Sequence, residues 1–191
     1  MNLDERILRV ARTCGHEPHL ERAVAGFSRL GEHGALWLAL GGASWLLDAP
    51  ARPRWRRALA GVMATYALNT ALKLIVRRRR PELEGLPPLT GTPTRLSFPS
   101  AHAATSFAAA RLYARAGLPR APLYGLAGAL ALSRLYLGVH YPSDVLAGAL
   151  FGTALAEVAV WGQTEAAGGG AVRAEAGGGA VAAGRATVAA T

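Results

Sequence analysis

Five apolar segments, at 35–47, 57–76, 101–116, 121–139 and 145–161, set the first limit on how this chain can fold. A helix crossing a bilayer needs roughly 20 residues, with about 17 tolerated. The second, fourth and fifth segments meet that length, whereas the first is short unless residues 31–34 extend it. The third carries His102, Arg111 and Arg115, so it cannot face lipid on all sides. It belongs inside a bundle, with its polar face on a site. Small residues suit close helix packing: Gly125, Gly128 and Ala129 in the fourth segment, and a Gly148–Gly152 GxxxG step in the fifth. Hydrophobic residues make up 51 % of the chain and the mean hydropathy is +0.21. The expected fold is all-α: an integral-membrane helical bundle of about five spanning helices, preceded by amphipathic N-terminal helices.

The ends differ from this core in composition. Residues 1–31 read as two short amphipathic helices broken near Gly15–Pro18. Ile7, Leu8, Val10 and Ala11 form one apolar face, and Leu20, Val24, Phe27 and Leu30 form the other. The first residues are charged and contain no apolar h-region, so they do not read as a signal peptide. Residues 32–162 form the expected membrane domain, and 163–191 are an Ala/Gly-rich tail expected to be disordered. The net charge is +9. The basic residues flank apolar stretches, a pattern of loops at a lipid surface and not of a nucleic-acid-binding domain. Cys14 is the single cysteine, which excludes an internal disulfide and a CxxC motif. Lys73 is the single lysine among 21 basic residues. Its site therefore calls for a compact ammonium and not a planar guanidinium fork.

Three clusters place rare polar residues at helix ends. In the run from Lys73 to Arg80-Pro81, the two cations are seven residues apart, so they share a helix face. A lysine in an apolar segment needs an anion or water. Arg77, Arg78 and Arg79 read as a basic membrane flank. In Ser97-Phe-Pro-Ser-Ala-His102, Ser100 is the expected N-cap of a long Ala-rich helix, whose free N–H groups also bind anions. His102 falls in the first turn. A helix N-terminus disfavours imidazolium there, but a bound phosphate restores it, as suits a group that protonates a leaving oxygen. In the run from Ser133-Arg134 to His140 and Asp144, Arg134 needs an anionic partner. Asp144 opens the next helix and can fix one nitrogen of His140, leaving the other to attack.

Together these residues suit phosphoryl transfer: cations for the equatorial oxygens, an in-line nucleophile and a proton for the leaving group. Each role is filled without a metal or cofactor. His16, His19 and His33 have no supporting carboxylate cluster and read as surface histidines.

The three clusters resemble the signatures of the type 2 phosphatidic acid phosphatase family, which shares its site with vanadium-dependent haloperoxidases. The resemblance implies a lipid phosphatase of the multi-pass cell membrane, with a lipid phosphate and the bilayer as partners and no nucleic acid. By the resemblance, Lys73, Arg80 and Arg134 grip phosphate, and Ser100 and the backbone at Ala101 complete the cradle. His102 protonates the leaving oxygen, His140 becomes a phosphohistidine, and Asp144 orients it. The family usually has Gly at the position of Ala101; Ala serves equally if the backbone there is helical. A narrower resemblance lies in Gly31-Glu32-His33, Gly91–His102 and 131–148. It points to actinobacterial phosphatases of polyprenyl-linked phosphosugars, in keeping with an Arg-rich, Lys-poor chain. Other expectations to be separated by experiment are a polyprenyl pyrophosphate phosphatase, a phosphatidic acid or phosphatidylglycerophosphate phosphatase, a haloperoxidase, and a non-catalytic basic lipid-binding protein.

Overall fold

A computed structural model of the chain describes residues 2–161; the segment read as a tail lies outside them. One compact unit ends at Ala156, and a second begins at Glu157. The described residues are helical, with two isolated bridges, Arg79 with Leu96 and Leu83 with Leu86. The helices are α1 (Leu3–Thr13), α2 (Pro18–Arg29), α3 (Ala35–Leu47), α4 (Arg52–Val76), α5 (Ala101–Ala116), α6 (Arg120–Tyr136) and α7 (Pro142–Trp161).

Local chemistry explains the boundaries. Asn2 and Glu5 form a reciprocal capping box that starts α1. Asp48 takes the Ala51 N–H and the Trp55 indole N–H, and so fixes the entry to α4. That helix ends at Arg77, whose backbone is left-handed with φ of 54°, and Pro81 then precludes its resumption. Gly117 closes α5 at φ of 122°.

Helix α5 is the centre of the bundle and packs on α4 and α6. Its alanines Ala103, Ala104, Ala108, Ala109 and Ala110 are completely buried, as its polar residues required. Helix α7 lies against its first turns. A Cβ at Gly148 or Gly152 would strike the carbonyl oxygens of Ser100 and Ala104, so the GxxxG step works as a backbone-to-backbone contact. At the other end of α5, Tyr113 donates to the Trp37 carbonyl at 2.7 Å and packs edge-on against Trp37 and Trp55.

Two helices are long and apolar enough to cross a membrane unaided, Ala49–Val76 and Pro142–Trp161. The fourth apolar segment is shorter than expected. Helix α6 stops at Tyr136 after 17 residues, about 25 Å of rise. The chain then turns through Leu137 and Gly138, the latter at φ of 73°. A Cβ at Gly138 would strike the Arg12 side chain. This turn converts the end of an apolar run into the loop that carries His140.

Helices α1 and α2 dock on α6, but α1 presents an unexpected face. Of its four expected apolar residues, Leu8 alone is fully buried; Ile7 and Val10 are exposed, as is Leu3. The inward row is Asp4, Leu8 and Arg12, spaced i, i+4, i+8. Arg12 is buried because its guanidinium meets backbone carbonyls, Pro87 at 2.7 Å and Tyr136 at 3.4 Å. Leu3, Ile7 and Val10 are left outward, as befits a helix lying along a bilayer surface.

Candidate active site

The end of α4 supplies the first wall. Tyr66, Thr70 and Lys73 lie on one stripe of that helix, at i, i+4 and i+7. Lys73 is buried, and its ammonium donates to the Leu96 and Ser97 carbonyls at 3.2 and 3.1 Å. Three donors on a compact head allow two such bonds with one left for a phosphate oxygen. The loop after α4 is clamped to its own return: Arg80 N–H donates to the Arg95 carbonyl at 3.1 Å, and Ser97 N–H to Arg78 at 2.8 Å. That clamp places the Arg80 guanidinium, which donates to the carbonyls of Thr94 (2.8 Å) and Val139 (2.7 Å) and to His140 Nε2 (3.0 Å).

Because Nε2 of His140 accepts from Arg80, the ring proton belongs on Nδ1, facing Asp144. The Nδ1–Oδ2 distance is 3.5 Å, a charge contact longer than an ordinary hydrogen bond. The carboxylate is held mainly by other groups: Oδ2 accepts the Tyr141 N–H at 2.8 Å, and Oδ1 accepts from Arg78 at 2.9 Å. Such catalytic contacts often tighten only when substrate is bound. Burial, then the nearby Arg80 guanidinium, pushes His140 well below the ordinary imidazole range. Its neutral form therefore persists below pH ~6.5. In substrate-free protein labelled with ¹⁵N-histidine, His140 is expected to keep neutral-imidazole shifts at about pH 5.5. A midpoint near 6.5 would contradict this.

His102 lies in the first turn of α5. Its Nε2 is 3.0 Å from the Ser28 carbonyl, so that nitrogen carries a proton and Nδ1 is the one available for acid chemistry. The Ser28 carbonyl belongs to the last turn of α2, where the helix dipole favours positive charge. The Ser28 hydroxyl accepts from Arg134 at 2.6 Å and from Ser133 at 2.9 Å. One residue thus braces both the second histidine and the third cation.

These groups converge on one open cleft, lined by Lys73, Arg80, Ala101, His102, Arg134 and His140. Glu32, His33, Tyr66 and Thr70 form a polar wall of the same cleft, and His33 Nδ1 bonds the Tyr66 hydroxyl at 2.7 Å. Ala101 is absent from the residues with positive φ, so it replaces Gly without strain. Ser100 and Asp144 are fully buried behind the cleft surface. Ser100 caps α5 through the Ala103 N–H at 3.5 Å, and its own N–H donates to the Asp144 carbonyl at 3.0 Å. Its hydroxyl thus serves as the N-cap of α5 while keeping its own proton as a further donor.

Sequence reasoning missed the polar wall of the cleft, where His33 reads from sequence as a surface histidine, and it missed Ser28 and Arg78 behind the site. Ser28 carried a faint signal, as the polar member of the Leu20-Val24-Ser28 stripe. Arg78 carried none: nothing separates it from Arg77 and Arg79, yet it is not a mere membrane flank. It pairs with Asp144 and with Asp4, each at 2.9 Å, and lies 4.1 Å over the Tyr141 ring. Among the described residues no group of three or more His, Cys, Asp or Glu could hold a metal.

A membrane helical bundle that gathers two histidines, three cations and a helix N-terminus in this order is a phosphoryl-transfer enzyme of one class. The chain belongs to the PAP2 superfamily, whose family model matches residues 54–167, and it is a lipid phosphatase. It is 40 % identical over 146 residues to the decaprenylphosphoryl-5-phosphoribose phosphatase of Mycolicibacterium smegmatis, covering 76 % of this chain and 80 % of that one. Its identity to the Mycobacterium tuberculosis protein of the same name is 42 % over 146 residues, covering 74 % and 79 %. Among solved structures it resembles Aquifex aeolicus LpxE, with a TM-score of 0.72 and 25 % identity over 84 % of this chain and 96 % of that one. The fold is also that of the transmembrane PAP2 type phosphatidylglycerolphosphate phosphatase from Bacillus subtilis, with a TM-score of 0.68 and 24 % identity over 85 % of each chain.

Proposed function

We propose that the protein removes the phosphomonoester from decaprenylphosphoryl-5-phosphoribose at the bacterial plasma membrane, through a phosphohistidine on His140. The observation that carries the chemistry is the meeting of His140 Nε2, His102 and three cations, the buried Lys73 and Arg134 and the half-buried Arg80, in one cleft. The identity to named phosphatases of that lipid supports the substrate.

Lys73, Arg80 and Arg134 hold the phosphoryl oxygens and stabilise their charge as it redistributes. Arg80 stands beside His140 Nε2, so a phosphate it grips lies against the nucleophile. The Nε2 lone pair forms the N–P bond while the bond from phosphorus to the sugar oxygen breaks. His102 gives its proton to that oxygen. In the second half, His102 takes a proton from water, the water oxygen attacks phosphorus, and the N–P bond breaks to return neutral His140 and phosphate. Asp144 offsets the positive charge on the His140 ring in between. Ser100 caps α5 and shapes the backbone cradle at Ala101.

The polar wall fits a hydroxyl-bearing head group. Glu32 and Tyr66 can bond sugar hydroxyls, whereas a carboxylate at this position opposes a second phosphate attached directly to the first. Arg77, Arg79 and Arg95 are exposed on the loop that carries Arg80 and supply cations for the diester phosphate, which is not cleaved.

Purified protein given equal amounts of the phosphoribose lipid and decaprenyl pyrophosphate, in excess chelator, is expected to release phosphate from the first preferentially. Vanadate should inhibit it. Preference for the pyrophosphate would overturn the substrate, and loss of activity in chelator with recovery on adding a metal would overturn the mechanism.

A further inference from the structure

We propose that Asp4, on the N-terminal helix α1, is a positioning residue for the phosphatase reaction, acting through Arg78 on Asp144 behind His140. The inference rests on the roles given above to His140 and Asp144. It extends the working site to a helix outside the residues matched by the family model.

The geometry is a closed network. Arg78 NH2 donates to Asp4 Oδ2 at 2.9 Å, and Arg78 NH1 donates to Asp144 Oδ1 at 2.9 Å. One planar fork therefore spans two carboxylates, Asp4 and Asp144, that are far apart in sequence. Ser143 closes the ring. Its hydroxyl accepts from Arg78 NH1 at 2.7 Å and donates to Asp4 Oδ2 at 2.5 Å, while its N–H donates to Asp4 Oδ1 at 3.0 Å. That N–H is one of the free donors at the start of α7. A carboxylate from a different helix thus caps the turn that carries Asp144.

Each part matters to His140. Asp144 Oδ2 is the oxygen facing His140 Nδ1; the Tyr141 N–H holds that oxygen directly, and the carboxylate plane is completed by what holds Oδ1. Arg78 is what holds it, yet the Arg78 side chain is 30 % exposed. Without a second anion this guanidinium could swing to water, taking with it a restraint on the carboxylate. Asp4 supplies that anion. Asp4 is itself set in place by the α1 capping box on one side and by buried Leu8 and Arg12 on the other. Arg12 bonds Pro87 and Tyr136, so α1 is fastened at both ends across the loops that carry Arg80 and His140. This accounts for a burial pattern that puts Asp4 and Arg12 inward while Leu3, Ile7 and Val10 face out.

The test uses the full chain in proteoliposomes and compares Asp4→Asn, Arg78→Gln and the double variant. Asp4→Asn is expected to lower kcat about tenfold, the scale for losing a group that orients a reacting one. KM should stay within about twofold, since the phosphate grip is untouched. Phosphohistidine formation should slow by the same factor, and vanadate inhibition should stay within about threefold, showing a folded site. The double variant should be no slower than Arg78→Gln alone, because both changes break one path. An unchanged kcat in Asp4→Asn, a rise in KM with kcat preserved, or losses that multiply in the double variant would overturn the proposal. If Asp4→Asn does not assemble in the membrane, Ser143→Ala carries the test, with the same split at about threefold. Activity surviving in His140→Ala would instead overturn the underlying mechanism, whatever Asp4→Asn does.

Discussion

His140→Ala is expected to abolish turnover, lowering kcat by about four orders of magnitude or more, the scale for removing a nucleophile from a covalent mechanism. Enzyme quenched in alkaline detergent should also lack the acid-labile, base-stable phosphate that marks a phosphohistidine. The expectation follows from the ring's surroundings. His140 is 2 % exposed, and its Nε2 is beside the Arg80 guanidinium at 3.0 Å. Alanine leaves the phosphate gripped with nothing beside Arg80 to attack it. Rapid-quench measurement with a phosphate-labelled lipid checks both effects. Full phospho-enzyme trapping in the variant would show that the covalent link forms elsewhere.

His102→Ala is expected to lose about 10²- to 10⁴-fold on the lipid substrate, the usual range for a general acid. The loss should be much smaller on an aryl phosphate with a good leaving group, since a stable leaving anion needs little proton donation. The Ser28 carbonyl holds His102 Nε2 at 3.0 Å, so the proton for the leaving oxygen comes from Nδ1, with the α2 C-terminus stabilising the imidazolium. Comparing kcat on the two substrate types checks this. Equal losses on both would remove His102 from the acid role and leave it as a phosphate ligand. The second step should show the same variant slow to hydrolyse the phosphohistidine, because His102 also serves there as base.

Much of the site can be read from the chain because chemistry sits at helix ends. Lys73 is costly inside an apolar helix, His102 follows a proline and a capping serine, and Asp144 opens the helix after the Gly/Pro turn that carries His140. Each of these is a local fact about a residue and its neighbours, and local facts survive in a linear sequence. Two of the three segments of spanning length were legible for the same reason, since an apolar run must find an apolar environment. The exception is α6, which ends at Tyr136 although the apolar residues continue to Val139. Its end depends on Gly138 and on the Arg12 side chain packed against it, a distant residue.

Composition and spacing alone therefore determined the helical membrane bundle and the six side chains that converge on one cleft or stand directly behind it: Lys73, Arg80, His102, Arg134, His140 and Asp144. The tertiary structure decided what stands behind those side chains. Arg78 and Arg79 are adjacent and chemically identical, yet one bridges Asp4 and Asp144 while the other side chain is exposed. Ser28 and Asp4 are ordinary helix residues until α2 and α1 fold over α6. Ser28 then reaches His102, 74 residues away, and Asp4 reaches Ser143, 139 residues away. The physical reason is range. Burial preference and helix capping act within a few residues of sequence. A charge pair or a borrowed carbonyl acts through space, between groups whose meeting depends on how every helix between them is packed.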